Sequence, residues 1–154
     1  MGTVFNGNKA IRRFSKDSVY LTGVTSLGYN AFPNSSIEYG RFPYVTTIGY
    51  AGGANATTFG SCLNQIGLWF EAIETVGGLN YGATTQYIIV TTDYVPTANS
   101  RWLAGKLYVL DNLVNDYKAA SNWNTRTVLP ISQLPSDYPN CPWLDDLRNK
   151  GFIS

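Results

Sequence analysis

Histidine is missing from the chain, and with it the one side chain whose ordinary pKa lies between pH 5 and 8, the usual general base and metal ligand of neutral-pH chemistry. Cysteine is scarce: Cys62 and Cys141 are the only two, too few for a disulfide-dense scaffold or a spaced zinc motif. Charge is thin as well. Eleven Lys and Arg against ten Asp and Glu leave a formal net charge of +1 over 154 residues, which gives no global pull toward nucleic acid or an anionic membrane. The expectation is no cofactor, no bound metal and no nucleic-acid partner. The longest charge-free stretch, residues 42–70, is interrupted by Pro43, Gly49, Gly52, Gly53, Asn55 and Asn64, so nothing reads as a membrane span. Residues 1–16 lack the continuous apolar centre of a signal peptide, and the chain reads as cytoplasmic or as assembled there into a virion.

What is present is aromatic and uncharged: 11 Tyr, 7 Phe and 4 Trp, among many Asn, Thr, Ser and Gly. That mixture gives rigid contact area with adaptable hydrogen bonding, and suits adhesion better than reaction. The length suits one domain with one core. The positive charge that exists is concentrated at the start, where the first sixteen residues hold Lys9, Arg12, Arg13 and Lys16 and no acidic residue. This stretch reads as a basic arm for attachment to an acidic surface on a partner.

Periodicity supplies the expected elements. Phe59, Leu63, Ile66, Phe70 and Ile73 recur at three- and four-residue steps and predict an amphipathic helix over 57–76, stopped by Gly77 and Gly78. Leu103, Leu107, Leu110, Val114 and Tyr117 predict a second over 103–117. Residues 44–50 and 125–131 read as strands. Residues 86–95, apolar on both parities, read as a central strand covered on both faces. Pro142 opens a last short helix, with Asp145 and Asp146 in its first turn and Arg148 and Lys150 in its last. No internal repeat is evident, which argues against a solenoid. The expected fold is therefore α+β: a mixed or antiparallel sheet packed against two amphipathic helices, with extended N- and C-terminal arms. It divides into an arm (1–18), a globular domain (19–125) and a Pro-containing extension (126–154).

The reactive candidates are few. Cys62 has no histidine to serve as its base and reads as a small buried hydrophobe. Glu71 and Glu74, three apart, could divide acid and base roles or share a metal, but read as a solvated helix flank. No phosphate-binding glycine loop is present. Among the aromatics, Tyr50, Tyr81 and Trp123 stand in expected turns beside small polar residues and are the candidate contact residues. Low charge and a Thr/Asn/Tyr/Gly bias resemble in texture the tail, fibre or capsid-decorating proteins of bacteriophages. The first functional reading is thus a non-enzymatic, homo-oligomeric virion component whose partners are itself and other virion proteins. The second is a carbohydrate- or receptor-binding module using loop Tyr and Trp. The third is an enzyme whose mechanism the residues do not place.

Overall fold

The computed structural model describes residues 3–5, 18–28, 31–32, 37–48, 58–59, 64–77, 85–98 and 105–154. The strands are β1 (Thr3–Phe5), β2 (Ser18–Tyr20), β3 (Val24–Leu27), β4 (Tyr39–Phe42), β5 (Thr47–Ile48), β6 (Gly67–Phe70), β7 (Thr75–Val76), β8 (Tyr87–Val90), β9 (Thr97–Ala98), β10 (Lys106–Val109) and β11 (Thr127–Pro130). Up to β10 they alternate between two sheets, one ordered β1-β3-β5-β7-β9 and the other β11-β10-β8-β6-β4-β2. Every pairing is parallel. A chain that visits two parallel sheets in strict alternation is a coil stacked on itself, and the protein is a β-solenoid. This corrects the α+β expectation: there is no mixed or antiparallel sheet among the described residues, and the helices are few and short. At the ends, β1 and β2 lie in the sheets, residues 131–153 pack onto the outer face of the larger sheet, and most of the expected basic arm lies outside the described residues.

The repeat is visible once the coils are aligned. Ser18, Tyr39, Gly67, Tyr87, Lys106 and Thr127 stand side by side in the larger sheet. Successive coils thus take 21, 28, 20, 19 and 21 residues, read directly from those registers. Inward positions carry Leu68 and Phe70 in β6, Ile88 and Val90 in β8, Leu107 and Val109 in β10, and these meet Leu27, Ile48 and Val76 from the smaller sheet. Stacked rings help fill the interior, with Phe42 over Phe70 at 5.1 Å and Phe32 over Phe59 at 5.0 Å. Within the charge-poor stretch 42–70, the described Phe42, Val45, Ile48, Phe59, Leu68 and Phe70 are all buried.

Both expected long helices are replaced. Residues 57–76 hold β6 and β7 in place of a helix, and 103–117 hold β10, a 3-10 turn (Asp111–Leu113) and the start of α1 (Val114–Ala119). The strand expected over 86–95 is present as β8, fully buried and interior to its sheet. Those expected over 44–50 and 125–131 are present, shortened, as β5 and β11.

After β10 the fifth coil places α1 beyond β9, where a strand of the smaller sheet would stand. Its Tyr117, with Leu113 and Trp123, joins the core. The exposed edge of β9 is covered by side chains: Asn122, in the left-handed region at φ 69°, donates to the Ala98 carbonyl at 2.6 Å, and the Trp123 indole donates to the Pro96 carbonyl at 2.6 Å. Covering an edge this way blocks further strand addition.

The outer face of the larger sheet is also apolar, with Trp69, Tyr87, Ile89 and Tyr108 buried. It is covered by the C-terminal segment, which runs through a 3-10 turn (Ile131–Gln133), α2 (Leu134–Asp137) and α3 (Leu144–Asn149). Ile131, Leu134, Trp143, Leu147 and Ile153 make the contact. We call this segment the strap. The final helix carries Asp145 and Asp146 in its first turn and Arg148 in its last, as the sequence implies. Among the described residues no helix is long and apolar enough to cross a membrane.

Enclosure of tyrosines between layers has a measurable consequence. Burial raises the pKa of Tyr87, Tyr108 and Tyr117 well above the ordinary value, the Tyr108–Asp137 hydrogen bond adding to the effect for Tyr108. A raised folded-state pKa favours the neutral phenol in the native protein. The stability this confers is complete below the unfolded pKa of about 10 and is lost as pH rises past it. Ultraviolet titration of tyrosinate should therefore show these three ionising only together with cooperative unfolding. Their ionisation at about pH 10 in a still-folded protein would contradict the burial.

Candidate functional site

The sequence candidates fall in different places. Lys9, Arg12, Arg13, Lys16, Tyr50 and Tyr81 lie outside the described residues, as does Cys62. Trp123 is described and buried, its indole N–H held by Pro96, so it packs the solenoid end and presents no surface. Glu74 is exposed, but Glu71 is not the solvated helix residue it reads as: it directly follows β6 and its side chain is 11% exposed.

Glu71 anchors a cleft at the C-terminal ends of the larger sheet's strands, where it meets the end of the strap. The cleft, of about 320 Å3, is lined by Tyr20, Arg41, Pro43, Tyr44, Glu71, Thr91, Lys150 and Phe152. Each residue is placed by the coil geometry: Tyr20 ends β2, Arg41 is an outward position of β4, Thr91 directly follows β8, and Lys150 and Phe152 follow α3. Arg41 organises the floor. Its guanidinium donates through Nε to Glu71 at 2.8 Å and through Nη1 to Asp146 at 2.6 Å. It stacks 4.0 Å from the centre of the Trp69 ring and 5.1 Å from that of Tyr20, which fixes the plane of the fork. Burial works against its charge, but Glu71 and Asp146 outweigh that and raise its pKa. Glu71 also takes the Lys150 ammonium at 3.2 Å. Thr91 is held from behind, its hydroxyl accepting the Trp69 indole N–H at 3.0 Å.

The two charge signs balance across this network, so the cleft offers donors and acceptors together with no net attraction for an ion. Arg41 has five N–H donors and Lys150 three, more than the ion pairs with Glu71 and Asp146 use. Above this floor stand Tyr20 and Tyr44, 56% and 57% exposed. Tyr94, 42% exposed, follows β8 on the same margin. The three tyrosines belong to the first, second and fourth coils. At about 4.8 Å per coil the row extends over roughly 14 Å along the solenoid axis.

A second cleft, of about 290 Å3, lies at the opposite ends of the same strands, between Tyr39, Ile66, Tyr87 and strap residues 137–141. No group of three or more Cys, Asp or Glu side chains placed to hold a metal occurs among the described residues. The sequence signal for the first cleft was available only in part. Tyr20, Arg41, Tyr44, Glu71 and Lys150 are dispersed over 131 positions of the chain, and only the coil registers and the strap's return bring them together. The chain matches no family model, no curated protein and no solved structure.

Proposed function

We propose that this protein is a non-enzymatic carbohydrate-binding module, and that the cleft between the strap and the C-terminal strand ends is its binding site. The observation that carries the reading is the pair of more than half-exposed tyrosines, Tyr20 and Tyr44, standing over a charge-balanced floor of Arg41, Glu71, Thr91 and Lys150. A sugar ring presents an apolar face of C–H groups and an edge of hydroxyls that both donate and accept. Tyrosine rings suit the first and an Arg–Glu–Lys network the second. The neutral balance disfavours phosphate or polyanions, and the axial row ending at Tyr94 suits a chain of sugars over a single one. The expected result on a panel of neutral oligosaccharides is binding that Tyr44→Ala and Tyr20→Ala each weaken roughly tenfold, the loss of about one stacking contact. No binding to any neutral glycan at millimolar concentration, or binding indifferent to both substitutions, would sink the reading.

A second reading, a structural component of a virus particle such as a tail fibre, is supported by the solenoid, a stacked architecture that builds extended rods. A defined oligomer at micromolar concentration is the observation that favours it.

A further inference from the structure

Along the margin of the charge-balanced cleft, one row of residues alternates in size from coil to coil. In the smaller sheet Ser26, Thr47, Thr75 and Thr97 stand in register. The ladder extends back into the corner, where the Thr46 N–H donates to the Thr25 carbonyl, that of Glu74 to Thr46 and that of Thr97 to Glu74. Three residues before each member of the register row come Gly23, Tyr44, Ala72 and Tyr94. Small residues therefore hold the first and third coils, and tyrosines the second and fourth. Both tyrosines are exposed. At Gly23 an added Cβ would meet nothing within 4 Å, so the coil before Tyr44 leaves open space in the row. The Tyr94 hydroxyl lies 3.5 Å from the Ala72 carbonyl, which turns that ring back along the solenoid axis, toward the small residue of the third coil. The result is a pair of aromatic surfaces anchored two coil rises apart, about 10 Å.

We infer that the ligand is an extended β-1,4-linked glycan lying along the solenoid axis, with like faces of every second sugar on Tyr44 and Tyr94; this rests on the carbohydrate reading of the cleft. In such a chain each sugar is turned over relative to the one before, so the same face recurs at every second ring. Each ring also advances by close to the rise of one coil. The period of the glycan then matches the period of the tyrosines, two sugars to two coils, and the small residues at 23 and 72 receive the intervening rings. An α-1,4-linked chain coils instead, and its faces leave a straight row after one contact. Tyr44 is the shared point of the two parts of the site. It lines the cleft together with Arg41, Glu71 and Lys150, so one sugar is held there by hydroxyl contacts as well as by stacking. Tyr94 reads the continuation of the chain.

The test titrates the full chain with cellohexaose, β-1,4-mannohexaose and N-acetylchitohexaose, with the dimer of each, and with maltohexaose, whose glucose units differ from those of cellohexaose only in linkage. Backbone amide shifts report the binding. At least one β-1,4 hexamer should bind roughly tenfold tighter than its own dimer and than maltohexaose, the worth of one added stacking contact, and should shift amides around Tyr44 and Tyr94 together. Tyr94→Ala should erase the hexamer's advantage over the dimer. An advantage that survives this substitution, equal binding of dimer and hexamer, or a preference for maltohexaose or another neutral glycan overturns the inference and leaves the carbohydrate reading standing. Absence of binding by every neutral glycan overturns that reading and this inference with it. The comparisons among dimers, hexamers and maltohexaose use the unaltered protein, so they decide the matter even if the variant fails to fold.

Discussion

Replacing Trp143 by alanine should cost about 3–5 kcal/mol of folding free energy, the range for deleting a large aromatic from a packed interior. Trp143 is 5% exposed. It is the residue by which the strap reaches two coils at once, edge-on to Tyr39 at 5.8 Å and tilted against Trp69 at 6.0 Å. Its loss leaves a cavity over the outer face of the larger sheet and loosens Leu147 and Ile153, which cover Ile89, Tyr108 and their neighbours in the same cluster. Typical domains have only about 5–15 kcal/mol in all, so the variant should be marginal at 37 °C and should expose aromatic surface that aggregates. Urea unfolding measures the loss, and Trp143→Phe should recover more than half of it. A change below about 1 kcal/mol would mean that the strap is a loose covering and the outer face is stable without it.

Gly105→Ala should be nearly as damaging, for a different reason. Gly105 has φ +84° at the corner that feeds β10, and a Cβ there would come within 2.5 Å of the Thr85 carbonyl oxygen and 2.6 Å of that of Gln86. These are backbone atoms of the adjoining coil, and Lys106 N–H donates to the Gln86 carbonyl at 3.0 Å, so neither side can retreat without breaking the ladder. The left-handed conformation alone costs about 1–2 kcal/mol for an L-residue, and the overlap adds about 1–3 kcal/mol. Gly151→Ala is the internal control: its φ is +77° but nothing lies within 4 Å of the added carbon. The difference between the two variants in thermal unfolding isolates the clash. Equal losses would show that the coil spacing at residue 105 yields.

The periodicity that predicts a helix over 57–76 arises from the solenoid itself, whereas in 103–117 the step from Val114 to Tyr117 belongs to the short helix α1. Inward residues fall at the end of a strand, at the corner, and in the next strand, as in Phe42, Val45 and Ile48 or Phe70, Ile73 and Val76, all buried. Those steps are three residues long, and a helix stripe uses the same step. Within β6 and β8 the alternation that marks a strand is erased, because the strap buries the outward side too. The repeat itself is hidden by uneven coil lengths, above all the 28 residues between Tyr39 and its register partner Gly67. What survives these effects is legible: the doubly covered strand β8, and the terminal helix with its acidic first turn. For the carbohydrate cleft, the excess of tyrosine pointed to contact surfaces, but not to Tyr20 and Tyr44, whose exposure depends on which edge of a coil they occupy. Arg41 and Glu71 carry no local signal, since their pairing depends on neighbouring coils lying in register.

Coils that touch only their neighbours form a chain of weakly coupled units, and such arrays can lose their ends while the middle stays intact. The strap changes that statistical character. Its residues meet Tyr39, Trp69, Tyr87 and Tyr108, which belong to four successive coils, and the Arg41–Asp146 contact closes a loop of 105 positions. Closing so long a loop is entropically slow and is rewarded only when all four coils are already in register. The strap should therefore dock late and, once docked, tie coils that would fray independently into one cooperative unit. In hydrogen exchange, amides of β4, β6, β8 and β10 should share a single opening free energy, where an untied solenoid would show a gradient from one end to the other.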